Sequence, residues 1–346
     1  MKTRSPLVSW AFAAALSCLV LAQALPAGAS RERAAPPFCG DSGVISADRL
    51  PATVAASTCD LVGRTIEAGS VRLRVPPPGN AVGAAAISES GEAELTITTL
   101  WNGDVVLGDG EAVAAPMLAG AAEDPCDARG ISGCLAPCED ENFHTYAAYA
   151  SPKVKERQPW FFKARSTPSS LTRTQALTHI KLGTRNVVTG YNDCGLPDPV
   201  TQTAPYKGTT RTGTGITVVG TGDEKTMRCG SSDAKNVVDF GPLLSTGLAC
   251  WRAMARDING PWFITEADIR LEKGAPWILN ADDPTCFNKV DLQGVMTHER
   301  GHAFGLDHSD SVVAHTSQTM FPVIYPCSTY SRTLGRGDHM GLDSLY

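Results

Sequence analysis

Apolar and polar residues alternate over short runs through the first third of the chain, the period-two pattern of half-buried strands. Ser70-Val71-Arg72-Leu73-Arg74-Val75 alternates and stops at Pro76-Pro77-Pro78. Two β-prone runs, Glu94 to Trp101 and Asp104 to Leu107, flank Asn102-Gly103. That pair tolerates positive φ and predicts a tight hairpin. Beyond a Cys-dense stretch, residues 159–164, 214–219, 236–240 and 267–271 read as further strands. After the first of these, Ser170 offers the N-cap of a helix with Ala176, Ile180 and Val187 on one face. A second helix is signalled by Asp291 as cap and by Leu292, Val295, Met296, Ala303 and Phe304 at helical spacing. Strands, a long helix, more strands and a second helix describe an α+β domain.

Composition divides the chain further. Met1-Lys2-Thr3-Arg4 precedes an apolar run from about Leu7 to Leu25, and Ala27-Gly28-Ala29 is a small-x-small cleavage site. This is the pattern of a secretory signal over residues 1–29, with export outside the cell and no stable membrane association afterwards. Residues 30–125, rich in Ala, Gly and Ser, are expected to form a smaller β-rich module without a catalytic constellation. Residues 126–139 form a Cys-rich connector, and residues 140–346 the α+β domain.

Of eleven cysteines, Cys18 leaves with the signal, and the ten that remain suggest up to five disulfides in an oxidising compartment. Cys39 and Cys59 are expected to pair inside the β-rich module. The formal charge of −6 becomes −8 once Lys2 and Arg4 are removed, and no basic cluster stands out, which argues against nucleic acid as a partner.

The chemistry is concentrated in His298-Glu299-Arg300-Gly301-His302-Ala303-Phe304-Gly305-Leu306-Asp307-His308. On a helix, His298 and His302 project from one face one turn apart, so their nitrogens can meet one metal ion. Gly305 falls where the helix must end and turn, and this brings His308 round as third ligand. Three imidazoles with an open fourth position describe a catalytic zinc site rather than a closed structural one. Glu299, adjacent to a ligand but about 100° round the helix, is the candidate general base. Asp307 and Asp338 are expected to support the site rather than react, and His144, His179, His315 and His339 to lie outside the ligand set.

These eleven residues resemble the metzincin zinc endopeptidases, whose histidine string is followed by a Met-containing turn beneath the metal. Ser317-Gln318-Thr319-Met320-Phe321-Pro322 looks like that turn, and Ser309 with Met320-Phe321-Pro322 is closest to the matrixin branch. The resemblance implies a metzincin-like fold over residues 140–346, a twisted mixed sheet and long helices with zinc in the cleft. It implies Zn2+ on His298, His302 and His308, Glu299 as base, Met320 as floor, and Gly305, Phe321 and Pro322 in support. A structural Ca2+ is left open. By analogy an extended peptide pairs with a sheet edge, Trp277-Ile278-Leu279 being part of it, while Phe321, Pro322 and Val323 wall a side-chain pocket.

The chain departs from the matrixin pattern in three ways. About a dozen residues separate His308 from Met320, more than a matrixin is expected to have. The catalytic half holds extra cysteines, for which Cys194–Cys229 and Cys286–Cys327 are the expected bridges. No inhibitory Cys stands in a preceding propeptide. Cys194-Gly195-Leu196-Pro197-Asp198 resembles the latency segment, but it follows the first helix and lacks the preceding Arg, so a disulfided loop is expected instead.

The expectation is a secreted, monomeric zinc endopeptidase acting on polypeptides. The alternative is a secreted zinc-containing binding or adhesion module without turnover. Residues 30–125 would serve as propeptide or accessory module.

Overall fold

The computed structural model describes residues 36–40, 42–87, 93–108, 134–146, 152–280 and 283–346. The expected signal segment and Cys126 lie outside these residues. The N-terminal third supplies helix α1 (Pro37–Gly40) and strands β1 (Val44–Ser46), β2 (Thr53–Val54), β3 (Thr65–Ala68) and β4 (Val71–Arg74). It continues with β5 (Asn80–Ile87), β6 (Ala93–Thr99) and β7 (Val105–Leu107). Next come β8 (His144–Thr145), β9 (Trp160–Phe162), α2 (Arg173–Val188), β10 (Tyr206–Thr209), β11 (Thr217–Val219) and β12 (Thr226–Arg228). Three longer strands follow: β13 (Asn236–Gly241), β14 (Gly247–Ala255) and β15 (Trp262–Glu272). The short β16 (Trp277–Ile278) and β17 (Val290–Asp291) lead into α3 (Leu292–Ala303), then β18 (Leu306–Asp307) and α4 (Arg336–Leu345). The α+β class is as expected.

Two large sheets organise the chain. One runs β1-β3-β4-β12-β11, the other β10-β9-β13-β15-β14-β5-β6-β7-β2. The expected division near residue 125 is therefore not a division in space. Strand β5 pairs antiparallel with β14 along eight residues, from Asn80 opposite Met254 to Ile87 opposite Gly247, and residues 35–346 form one compact unit. The physical reason is that both faces of these strands are buried. Val82, Ala84, Leu248 and Cys250 enter a core with Ile66, Val71 and Leu95, while Ala81, Ala249, Trp251 and Ala253 face a second core with Ile180 and Val295. The two segments are two parts of one hydrophobic interior, and neither could be bared to water without exposing it.

Local signals mostly act as read. The hairpin forms, with Thr99 opposite Val105 and Thr98 opposite Val106. Its loop is longer than two residues, because Leu100 N–H already bonds to the Asp104 carbonyl and only Gly103 takes positive φ, at 87°. Helix α2 begins two residues later than expected. Its cap is Thr172, whose hydroxyl accepts the Gln175 N–H while the Gln175 side chain returns the bond, a reciprocal box that Ser170 cannot make. Asp291 caps α3 as expected, accepting from the N–H groups of Gln293 and Gly294.

Helices α2 and α3 meet at Gly183. A Cβ there would stand 2.8 Å from Met296 Cβ and 2.9 Å from both the Gln293 carbonyl oxygen and the Thr297 nitrogen. Asn186 adds a hydrogen bond to Thr297 Oγ1 at 3.1 Å. Arg300, fully buried on α3, donates to Gln158 Oε1 at 2.8 Å and lies over the Trp160 ring, tying α3 back to β9.

Four disulfides join described residues: Cys39–Cys59, Cys138–Cys194, Cys229–Cys250 and Cys286–Cys327. The first and last are the expected pairs. The expected Cys194–Cys229 bridge is replaced, because the fold brings Cys250 on β14 to Cys229, the residue after β12. Cys194 instead anchors the loop after α2 to the connector, so it is not a free thiol. Trp277–Ile278 is likewise not an edge of the main sheet, since it pairs with Val290–Asp291 in a separate two-stranded ribbon.

Candidate metal centre

Helix α3 ends because Gly305, at φ 98°, turns the chain where a Cβ would strike the Pro152 carbonyl oxygen at 2.2 Å. The chain returns as β18, which pairs with β8 and delivers His308 beside the helix. The structure thus brings His298, His302 and His308 together. Their Nε2 atoms are 3.0 Å apart for His298 and His302, and 3.1 Å for each with His308. A point about 2 Å from all three, the usual zinc–nitrogen distance, lies beside this triangle.

Every outer nitrogen has a partner. His298 Nδ1 lies 2.7 Å from the Thr319 carbonyl oxygen. His302 Nδ1 is 3.0 Å from the Leu306 carbonyl oxygen and 2.8 Å from the Tyr146 hydroxyl. His308 Nδ1 is 3.1 Å from Glu94 Oε2. Carbonyl and carboxylate oxygens only accept, so each Nδ1 carries the ring proton and each Nε2 turns a lone pair toward the common centre. Burial, and after it the neighbouring His308, holds His298 and His302 well below the ordinary histidine range. Three neutral lone pairs converging this closely repel one another unless a cation sits among them, so the donor set fits a metal ion.

Glu299 is fully buried alongside. Neither carboxylate oxygen makes a hydrogen bond of normal geometry. Burial raises it well above the usual carboxylate range, with His308 and the Ala249 amide opposing only in part. A buried carboxyl without a partner is costly, and a water held at the metal would give it one. It lies against β14, where a Cβ on Gly247 would stand 2.3 Å from Glu299 Oε1.

The floor is built by the turn after His308. A Cβ on Gly301 would stand 2.4 Å from Met320 Sδ, so the thioether lies against α3 between the two helical histidines. Asp338, at the start of α4, accepts the Thr319, Met320 and Gly335 N–H groups at 2.7, 3.0 and 2.8 Å. Burial pushes its carboxyl up to about 6 against those three bonds. Phe321 and Pro322 are buried, and Phe321 stacks with Tyr325 in a small cluster that includes Val323. The long interval between His308 and Met320 is accommodated as an excursion closed at its base by Ser309 N–H on the Met320 carbonyl, 2.9 Å. It docks on the connector through Ser317 Oγ and the Leu135 carbonyl, 2.8 Å, and just beyond it through His315 Nδ1 and Asp140, 2.9 Å.

The other histidines lie elsewhere. His144 Nε2 meets Asp310, His339 Nε2 meets the Pro197 carbonyl, and His179 sits on α2. Sequence reasoning missed Glu94 and Tyr146. The N-terminal stretch, expected to hold no catalytic constellation, supplies the carboxylate on His308. Glu94 also borders Asp307, whose carboxyl is driven well above its usual range by burial first and by Glu94 next.

Residues 254–346 match the Matrixin family model, Peptidase M10. Metalloendoproteinase 4-MMP of Arabidopsis thaliana is 35% identical over 78 residues, which is 22% of this chain and 21% of that protein. The match thus spans about a fifth of the length of that curated relative. The C-terminal region is matrixin-like metalloprotease sequence.

Proposed function

We propose that this matrixin-like chain is a secreted zinc-dependent endopeptidase that cleaves polypeptides with Glu299 as general base. The observation that carries the reading is the convergence of three Nε2 atoms, each fixed from behind through Nδ1, beside a buried carboxyl without a normal hydrogen bond. His298, His302 and His308 would hold zinc, which when bound lowers the pKa of a water to about 7 and polarises a carbonyl. Glu299 accepts the proton of the attacking water and passes it to the leaving amine as the peptide C–N bond breaks. Asp338 keeps Met320 under the histidines through the backbone of the turn. Tyr146, whose hydroxyl burial keeps protonated, orients His302. Export is supported by four disulfides among the described residues and by the N-terminal signal pattern. No helix of the described residues is long and apolar enough to cross a membrane.

A second reading, a zinc-containing module without turnover, is favoured by the closure of the site. His298, Glu299 and His302 are all 0% exposed, and the edge of β14 is taken by β5. A peptide pairing at that edge would have to displace β5, which makes residues 30–125 either a propeptide or an accessory part that opens. Caseinolysis by the mature protein, with a chelator control and Glu299→Ala, separates the readings. Turnover abolished by both supports the peptidase; undiminished activity in the variant sinks the mechanism. N-terminal sequencing of the active species tells whether residues 30–125 are retained.

A further inference from the structure

Strand β6 is buried at every one of its seven positions, yet it carries Glu94. Carboxylates are almost never buried without a partner that repays their lost hydration. Glu94 reaches its site in a fixed register: it lies opposite Ala85 of β5, which lies opposite Ala249 of β14, so the ladder sets its position relative to the centre. From there Oε2 meets His308 Nδ1 across 214 positions of sequence. His298 is backed by a backbone carbonyl and His302 by a carbonyl and a phenol, so among the three ligands only His308 is backed by a carboxylate.

We propose that Glu94 is a positioning residue for the metal. It fixes His308 in the Nδ1–H tautomer, holds its ring plane, and raises the electron density that Nε2 offers to zinc, as carboxylates behind metal-bound imidazoles do. The N-terminal strands are then part of the metal site in the closed chain. This rests on the zinc reading of the three histidines, but not on turnover. Metal binding and closure of β6 are coupled, and each strengthens the other.

The test titrates zinc alone into the metal-stripped full chain against a zinc-binding dye, for wild type, Glu94→Gln, Glu94→Ala and His308→Ala. Glu94→Ala is expected to weaken zinc binding about 10- to 100-fold, and Glu94→Gln less, because its amide oxygen still accepts from Nδ1. Amide exchange over residues 93–99 is expected to slow on zinc addition in wild type and not in Glu94→Ala. Urea midpoints of the metal-free proteins check folding; should the alanine variant fail to fold, the near-isosteric glutamine variant decides, with a several-fold loss expected. Zinc affinity within twofold of wild type in the Glu94 variants, while His308→Ala loses binding, overturns this inference and leaves the metal centre standing. Unchanged affinity together with raised caseinolysis also overturns it, and would make β6 a removable cover. A wild-type chain that binds no zinc defeats the metal reading itself.

Discussion

Substituting Gly183 tests whether the approach of α2 to α3 positions the histidine helix. A Cβ at this position would sit 2.8 to 2.9 Å from Met296 Cβ, the Gln293 carbonyl oxygen and the Thr297 nitrogen, where ordinary contact begins near 3.4 Å. All three atoms belong to the backbone of α3 or its first side-chain carbon, so no rotamer change relieves them. The helices must separate by roughly 0.5 Å, in an interior packed like a crystal. Overpacking of this kind costs about 1–3 kcal/mol. Against it stands the gain from replacing glycine by alanine inside a helix, about 1 kcal/mol. Gly183→Ala is therefore expected to lose up to about 2 kcal/mol in urea unfolding of the metal-free protein. Gly301→Ala is the control: its Cβ would meet the flexible end of Met320, 2.4 Å from Sδ and 3.1 Å from Cε, which can swing away. Its stability is expected to stay within about 1 kcal/mol of wild type, with the disturbance confined to the floor beneath the histidines. The helix-propensity gain alone would make Gly183→Ala more stable than wild type. A midpoint above wild type would refute the close packing of the two helices at this position.

Two further outcomes are expected. Burial, aided by Glu266, Asp233 and Asp239, raises Asp268 to about 8, with the Val237 N–H opposing. The native chain then keeps a proton that the unfolded chain releases from about pH 4 upward, so this residue's contribution falls as pH rises through that window and levels off above about 8. Asp268→Asn keeps an acceptor for the Val237 N–H and is expected to flatten the stability difference between pH 5 and pH 8, by at most roughly 4 kcal/mol; an unchanged difference in urea midpoints would count against the burial assignment. Saturating zinc at 100 times its dissociation constant is expected to raise unfolding stability by about 2.7 kcal/mol. A chelator that leaves the urea midpoint unmoved would mean that the three histidines do not bind metal in the folded chain.

What the sequence made legible was local. The cap at Asp291, the four-residue spacing of His298 and His302 and the turn at Gly305 all act within one or two helical turns, and the side chains that define them are adjacent in the string. What it hid was long-range. Strand β5 reads Asn-Ala-Val-Gly-Ala-Ala-Ala-Ile, with weak β propensity, and β14 is no clearer; burial on both faces erases the alternation that marks a strand. Glu94 looked like the polar member of an alternating run, because nothing nearby shows that its strand is covered on both sides. The exchange of Cys229 from Cys194 to Cys250 has the same origin: it follows from where β14 lies, and β14 was not seen.

The hidden strands bear on the centre by two independent routes. Along the first, β6 carries Glu94 to His308. Along the second, β5 presents Gly83, where a Cβ would stand 2.2 Å from Trp251 Cε2, so the indole of β14 lies directly on the strand. Trp251 packs against Tyr146 with ring centroids 4.7 Å apart, and the Tyr146 hydroxyl meets His302 Nδ1. Two of the three imidazoles are thus braced by side chains that β5 and β6 carry or pack against. Only His298 is held wholly from within the C-terminal region, through the Met-turn carbonyl of Thr319 and the Asp338 carboxyl behind it. That division separates the matrixin-like ligand string, which is local, from its bracing, which the N-terminal strands share. Losing those strands would leave the string intact while freeing the outer nitrogen of His308 and removing the Trp251 packing behind Tyr146, with His302 keeping the Leu306 carbonyl, and this is why metal affinity rather than the presence of the motif measures how far the N-terminal strands belong to the centre.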